Sequence, residues 1–313
     1  MTYKKKLIVA NTRDDSLAFV DSWIDGEMEI VQIKDSDNYD QKNLMVKFHS
    51  YHIGPYDLST DGKNYLYCAN IYDNSVMKID LVTRKIIDLV PVGKHPSCIR
   101  YFNNHLYIAN GDSNSISVVE EESFSLIENI PVGEKPIDMQ IDEDNNKLYV
   151  ANGNGLSIDV IDLKEEKRNT IKLQDNPVKL LIDDERMYIL SNVNNGLLNN
   201  SNVYIMDLKA YRIKPISNLK GIFNSMIQIY GSEVIFITNI DNGYLYRMDI
   251  KKGKLLSKTY IGGMPNRLEW DGDKILYISN ILTNHITVFD ISLNKPIYNI
   301  RVGREPNGII LVD

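Results

Sequence analysis

The sequence predicts an all-β fold: a seven-bladed β-propeller of four-stranded antiparallel blades, closed by pairing of the C-terminal strand with the N-terminal one. Three observations lead there. An apolar pentapeptide ending in Asn or Ser recurs seven times, anchored at Asn11, Asn70, Asn110, Asn152, Ser191, Asn239 and Asn280. Four of the six intervals between anchors are 39 to 42 residues, the spacing at which β-rich repeats form four-stranded units. The two ends of the chain carry complementary parts of one unit.

Within a unit the pentapeptide is strand B, as in Leu148-Tyr-Val-Ala-Asn152. Its β-branched and aromatic residues suit a strand. Strand C follows, as in Ser157-Ile-Asp-Val-Ile-Asp162. It closes on an acid in every unit: Asp21, Asp80, Glu120, Asp162, Asp207, Asp249 and Asp290. Strand D runs into Val-Gly or Ile-Gly and then a proline, as in Gly93 with Pro96, Gly133 with Pro136, Gly262 with Pro265 and Gly303 with Pro306. Gly54-Pro55 and Pro177 are shortened relatives. Strand A begins at that proline, whose missing N–H is tolerated at a first strand position. The Asn ending B is suited to hold turn backbone through its amide, so the repeated Asn, Gly and Pro are read as structural.

The start of the chain supplies B, C and D, and Pro306–Asp313 supplies only an A strand. Pairing of Ile309–Val312 with Lys6–Ala10 completes the seventh blade and protects two edges. Residues 1–313 are therefore expected to form a single propeller domain. Hydrophobic residues at 43% against 25% charged exclude a disordered or membrane composition. The excess of 42 Asp and Glu over 35 Lys and Arg excludes a general nucleic-acid binder, which needs basic charge to neutralise phosphates. Cys68 and Cys98 are too few for a disulfide framework or a four-Cys zinc site, and Cys68 reads as core. The lysines before Leu7 imitate a secretory signal. The apolar run Leu7–Ala10 falls short of the roughly 7–15 residues a signal core needs. No stretch approaches the ~18 apolar residues of a membrane span. A cytoplasmic location is the expectation.

The segments Leu148-Tyr-Val-Ala-Asn152, Ser157-Ile-Asp-Val-Ile-Asp162 and Val132-Gly-Glu-Lys-Pro136 resemble the YVTN-repeat β-propeller family, over nearly the whole chain. The resemblance implies a seven-bladed propeller. Relatives look like surface-layer, periplasmic and quinoprotein-associated proteins, and more distantly like haem d1 domains and lactonases. Ser191 in place of the blade Asn, and the proline-free run Lys220–Ser225, depart from the pattern.

The repeat breaks twice, and insertions map to loops that stacking does not constrain. From the acid closing C to the next proline is 15 or 16 residues in five units, but Asp21 to Pro55 is 34. Glu27–Ile33 already fits strand D, which places the insertion at about 34–52, between D and A. The alternative sets it between C and D, with Leu44–Phe48 as the strand. Asn110 to Ser115 is five residues, whereas Ser191 to Asn202 is eleven, which makes 192–201 a long B–C loop. In a propeller the B–C and D–A loops share one face, so both breaks are expected to decorate that face.

Two positions past the proline stand Asp57, Cys98, Asp138, Lys179, a polar residue near Ser225, Arg267 and Gly308, with Asn266 and Asn307 adjacent. Unlike charges at strand starts that converge on a channel suit a small polar ligand. His52 in the insertion and His95 in a corner loop are expected on the same face. The candidate ligand-binding set is Asp57, Asp138, Lys179, Arg267, Asn307, His52 and His95. No zinc-type spacing, Gly-x-Ser-x-Gly elbow or phosphate loop occurs, and no catalytic residue, metal or cofactor is assigned. The sequence reads as a binding or interaction protein whose partner is a protein or a small polar ligand at the decorated face. The family resemblance keeps a second reading open, a lactonase-like hydrolase acting on a small polar substrate. A redox-accessory role is weakened by the lack of a Cys-x-x-Cys-His haem attachment.

Overall fold

The apolar pentapeptides form strands buried along almost their whole length. A strand reads as a near-continuous apolar run when both faces of its sheet are covered. The outer strands are largely exposed, as in Ser125–Pro131 and Lys295–Arg301.

In a computed structural model, residues 5–38, 48–165, 167–194 and 199–313 are described. The chain opens with β1 (Lys6–Asn11), β2 (Ser16–Ser22) and β3 (Glu27–Gln32). The second sheet is β4 (Pro55–Thr60), β5 (Tyr65–Asn70), β6 (Ser75–Asp80) and β7 (Ile86–Pro91). The third is β8 (Pro96–Phe102), β9 (His105–Asn110), β10 (Ser115–Glu120) and β11 (Ser125–Pro131). The fourth is β12 (Pro136–Asp142), β13 (Lys147–Asn152), β14 (Ser157–Asp162) and β15 (Arg168–Lys172). The fifth is β16 (Asn176–Asp183), β17 (Arg186–Asn194), β18 (Asn199–Asp207) and β19 (Ile213–Lys220). The sixth is β20 (Phe223–Gln228), β21 (Val234–Asn239), β22 (Tyr244–Asp249) and β23 (Lys254–Tyr260). The seventh is β24 (Pro265–Trp270), β25 (Ile275–Asn280), β26 (His285–Asp290) and β27 (Lys295–Arg301). Finally β28 (Pro306–Val312) returns to β1, giving the order β28-β1-β2-β3. The fold is a seven-bladed β-propeller with four antiparallel strands in each blade. The closing register is the expected one, with Lys6 opposite Val312, Ile8 opposite Ile310 and Val9 opposite Ile309.

The chain divides into two compact units. One comprises Met1–Pro131, Asn284–Ile286 and Asn299–Asp313, and the other Val132–Thr283 and Thr287–Tyr298. In the first unit, Ile8, Phe19, Val31, Leu66, Cys68 and Met77 form one apolar layer between the first and second blades. Tyr67, Val76, Ile99, Ile108 and Phe124 form the next layer. In the second unit, Tyr149, Ile158, Leu180 and Ile189 pack the fourth blade on the fifth, and Tyr188, Leu190, Phe223 and Ile237 pack the fifth on the sixth. Packed sheets of this kind bury both inner faces.

The repeated Asn and Gly meet at one corner. The Asn amide donates to the Ser that opens strand C: Asn11 to Ser16 at 3.2 Å, Asn70 to Ser75 at 3.0 Å and Asn152 to Ser157 at 3.0 Å. In these blades it thus ties two strands together. In the sixth blade it serves the turn instead, where Asn239 Oδ1 accepts the Asp241 and Asn242 N–H groups at 3.1 and 3.2 Å. A Cβ on Gly93, Gly133 or Gly303 would come within 2.5, 2.4 or 2.7 Å of the Asn110, Asn152 or Asn11 side chain, so glycine is sterically required there.

The two breaks in the repeat have different structures. The insertion follows β3 and precedes β4, between the third strand of one blade and the first of the next. Residues 39–47, including most of the alternative strand Leu44–Phe48, lie outside the described residues. The segment 192–201 differs from its reading as a loop. It extends the blade: Asn192, Val193 and Asn194 pair with Ser201, Asn200 and Asn199, and β19 follows as far as Lys220 opposite Asn200. Ser191 cannot make the usual Asn tie. Ser201 takes its place, with its hydroxyl 2.6 Å from Asn192 Oδ1 and accepting the Phe223 N–H at 3.1 Å.

Candidate functional site

The first strand of a blade is an edge, and its N–H groups on the inner side need acceptors that the sheet cannot supply. The residue two past the proline provides one. Asp57 accepts the Ile99 N–H at 3.0 Å and the Arg100 guanidinium at 3.1 Å. Asp138 repeats this, accepting the Leu180 N–H at 2.8 Å and the Lys179 ammonium at 2.9 Å. Both acids are buried. The unlike charges expected to face a ligand are thus matched to one another across neighbouring strands. Lys179 joins Asp138, whereas Asp57 is served by Arg100.

A β-bulge accounts for this direction. Pro55 pairs with Asn70 and Asp57 with Ala69, so Tyr56 is the extra residue. The same step leaves out Ser97, Ile137, Val178 and Asn224 in their blades. One extra residue re-aims every side chain that follows it. At Gly308 no side chain fits, because a Cβ would lie 2.5 Å from the Tyr56 carbonyl oxygen.

The other candidates are placed as follows. Asn307 donates to Thr12 Oγ1 at 2.7 Å, and Thr12 donates to the Pro55 carbonyl at 2.7 Å. The Arg267 N–H donates to Ser279 Oγ at 3.0 Å. His95 sits in the left-handed region at φ 57°, with its N–H on Asn74 Oδ1 at 2.8 Å and its Nδ1 buried with no hydrogen-bond partner among the described residues. His52 Nδ1 lies 3.6 Å from Asp15. Among the described residues no three His, Cys, Asp or Glu side chains are arranged to hold a metal ion.

Asp15 anchors the insertion. It accepts the Ile53 and Gly54 N–H groups at 2.8 Å each and the Lys34 ammonium at 2.9 Å. Asp73 holds the same segment from the other side, through the His49 and Ser50 N–H groups at 2.6 and 2.7 Å. Burial pushes the Asp15 carboxyl up, but the Gly54 and Ile53 amides and Lys34 outweigh it and hold the group below its ordinary 3.8. A depressed carboxylate stabilises the fold above its unfolded value and loses that contribution as pH falls through the folded one. Hydrogen exchange at the Ile53 and Gly54 amides should therefore accelerate below about pH 3.8 ahead of the β13 amides, and should already be fast at neutral pH in Asp15→Ala. Equal protection of both sets during acidification would contradict the anchoring role.

The corner residues on either side of the proline position, together with the extended hairpin, line an open cavity that the sequence reading missed. Its volume is about 290 Å³. Lys135 and Ile137 come from the corner into β12, Gly153 and Asn154 follow β13, and Asn176 and Val178 belong to β16. Asn192 and Val193 of β17, Asn199 and Asn200 of β18, and Ile222 complete the lining. Five Asn and four aliphatic residues thus share the lining. Each Asn offers both a donor and an acceptor, the complement of a hydroxylated molecule. A run of Asn within 192–200, beside a lengthened blade, was the available signal. At the other end of these strands, a cavity of about 660 Å³ is lined by Asp142, Asp144, Asp183, Asp184 and Glu233 with Arg186.

No family model matches the chain, and no curated protein matches it in sequence. Solved structures do match in fold. Hydrazine synthase of Kuenenia stuttgartiensis has a TM-score of 0.74 at 19% identity, covering 85% of this chain and 91% of that one. A candidate 6-phosphogluconolactonase of Bacteroides fragilis gives 0.73 at 13% identity, over 100% and 99%. The periplasmic gluconolactonase of Pseudomonas aeruginosa gives 0.73 at 12% identity, over 99% of each chain. Named activities as unlike as these share one propeller, so the likeness shows the fold and leaves function to the site. No helix among the described residues is long and apolar enough to cross a membrane.

Proposed function

We propose that the protein is a ligand-binding propeller that holds a small polar molecule in the carboxamide-lined cavity of its fourth to sixth blades. The observation that carries this is the lining itself, in which five Asn residues stand with Ile137, Val178, Val193 and Ile222. Ligand pockets combine an apolar body with a few directed polar groups in this way. With each water occupying about 30 Å³, the cavity has room for about ten waters, which suits a metabolite better than a peptide chain. Among the described residues of its lining there is no carboxylate or imidazole, and the buried acids Asp138 and Asp159 are engaged by Lys179 and Arg168. That favours binding over hydrolysis, which needs a group to move a proton. We also propose a relationship to the YVTN-repeat propellers, supported by the pentapeptides and the Val-Gly-Glu-Lys-Pro136 corner.

Thermal-shift and calorimetric screening against sugar phosphates, sugar acids and lactones tests the reading. Asn176→Ala and Asn200→Ala should each weaken a bound ligand by about 0.5–1.5 kcal/mol, the net worth of one hydrogen bond, with an unchanged melting temperature of the free protein. A ligand whose affinity ignores both substitutions lies elsewhere. The lactonase-like fold neighbours favour a second reading, hydrolysis of a sugar lactone. Saturable opening of gluconolactone above the spontaneous rate, abolished by the same substitutions, would put that reading first.

A further inference from the structure

We infer that Asn242 is a self-modification site. Its carboxamide cyclises onto the Gly243 nitrogen and reopens as isoaspartate, which lengthens the turn between β21 and β22 and loosens the corner that this turn holds before β24. The inference is independent of the ligand-binding reading.

The sequence holds six Asn-Gly pairs, at Asn110, Asn152, Asn154, Asn195, Asn242 and Asn307. An Asn before Gly is open to this reaction, because glycine has no Cβ to hinder the approach of its nitrogen to the preceding side chain. Asn195 lies outside the described residues, and the fold treats the other five differently. Asn110 and Asn152 are fully buried, and their amides donate to Ser117 and Ser157 at 2.9 and 3.0 Å. The Gly111 and Gly153 N–H groups donate to the His95 and Lys135 carbonyls at 2.9 and 2.8 Å. Asn307 is buried, with its amide fixed on Thr12 Oγ1 at 2.7 Å. Asn154 is exposed, but the Gly155 N–H donates to the Asn152 carbonyl at 3.0 Å. Among the five, Asn242 alone combines an exposed side chain with a following N–H that donates to no described residue.

The fold itself requires the glycine that makes Asn242 labile. Gly243 lies in the left-handed region at φ 72°, where the matching turns of the second, third and seventh blades place Asn74, Asn114 and Asn284. A Cβ on Gly243 would come within 3.0 Å of the Gly262 carbonyl carbon. The Gly243 carbonyl accepts the Ile261 and Gly262 N–H groups at 2.9 and 3.1 Å, so the turn and the corner after β23 are tied together. Those other turns put Asp73, Ser113 and Thr283 before the left-handed residue, where the sixth blade puts a carboxamide. In the reaction the Gly243 nitrogen bonds to Asn242 Cγ as the Cγ–Nδ2 bond breaks, and its proton leaves with Nδ2 as ammonia. Solvent water then opens the cyclic imide. Attack at Cγ gives aspartate. Attack at the Asn242 main-chain carbonyl carbon breaks its bond to Gly243, which stays attached through Cγ. This isoaspartyl form adds a methylene to the main chain and shifts the Gly243 carbonyl away from Ile261 and Gly262.

Peptide maps of the full chain, held folded in mildly alkaline buffer and sampled over weeks, test this by counting aspartate and isoaspartate at each pair. Asn242 should convert at least about fivefold faster than Asn110, Asn152, Asn154 and Asn307, each of which must first give up a hydrogen bond. In urea, where the fold is gone, the five should convert at similar rates. Asn242→Gln, whose longer side chain cyclises poorly, should abolish the change at this position. The isoaspartyl fraction, separated by chromatography, should exchange the Ile261 and Gly262 amides at least about tenfold faster than the unmodified protein. Asn242→Asp adds the charge without the methylene and should keep their protection. Conversion at Asn242 no faster than at Asn154 in the folded chain, or the same ranking in urea, overturns the assignment. Unchanged exchange at Ile261 and Gly262 in the isoaspartyl fraction overturns the effect on the corner.

Discussion

Deletion of Pro306–Val312 is expected to leave a chain that no longer unfolds in one cooperative transition and that associates on gel filtration. β28 is the inner strand of the first blade, paired with β1 from Lys6 opposite Val312 to Asn11 opposite Pro306. Its loss strips cover from Ile8, Val9 and Ala10, all buried in the intact protein. Re-exposing the two larger side chains alone costs roughly 3–6 kcal/mol. The lost ladder adds to this, and the sum rivals the ~5–15 kcal/mol by which domains are stable. The newly bared edge of β1 is an unpaired template for another chain. Fraying of one end alone would instead leave the main transition within a few degrees of its original midpoint, and that result would show the closing pair to be dispensable.

Asp159→Ala is expected to cost about 3–5 kcal/mol, the penalty for removing one partner of a buried charge pair. Asp159 is fully buried within β14. Its carboxylate accepts the Gly133 N–H at 2.7 Å, the Asn152 amide at 3.1 Å, Arg168 at 2.9 Å and Thr170 Oγ1 at 2.5 Å. It thereby fastens the fourth blade's Asn–Gly corner to its outer strand. Asp159→Asn keeps one acceptor and should lose less. Urea denaturation midpoints of the three proteins give the order. A cost under about 1 kcal/mol for the alanine variant, the level of a surface pair, would mean the four contacts are incidental.

Strand order, blade count and the closing register were legible because each rests on a residue pattern that repeats. The Asn at the end of B, the acid at the end of C and the Gly-x-x-Pro corner mark most boundaries without reference to anything distant. The facing of the A-strand residues was not legible. A bulge at Tyr56, Ser97 or Ile137 needs no special residue type, yet it turns every later side chain to the opposite side. Asp57 and Asp138 therefore point to the neighbouring strand, while the residues flanking the proline position, such as Lys135 and Ile137, reach the cavity. The hairpin at 192–201 was hidden for a related reason. Asn, Gly and Ser signal turns by their local chemistry, and only pairing with the partner strand and with β19 makes this stretch a strand.

The pairing of β28 with β1 also sets a clock. About 300 residues separate the two strands, and at roughly 5–20 residues per second a ribosome needs about 15–60 s to pass from one to the other. A β-hairpin forms in about 1–10 μs, so β1, β2 and β3 are ready to pair long before their fourth strand exists. Through that interval the nascent first blade presents the β1 edge to its surroundings. The continuous apolar run Leu7, Ile8, Val9 and Ala10 makes that edge attractive to any passing strand. Slower arrival of the last strand, through codon usage or temperature, should therefore lengthen this exposure while the finished protein stays the same.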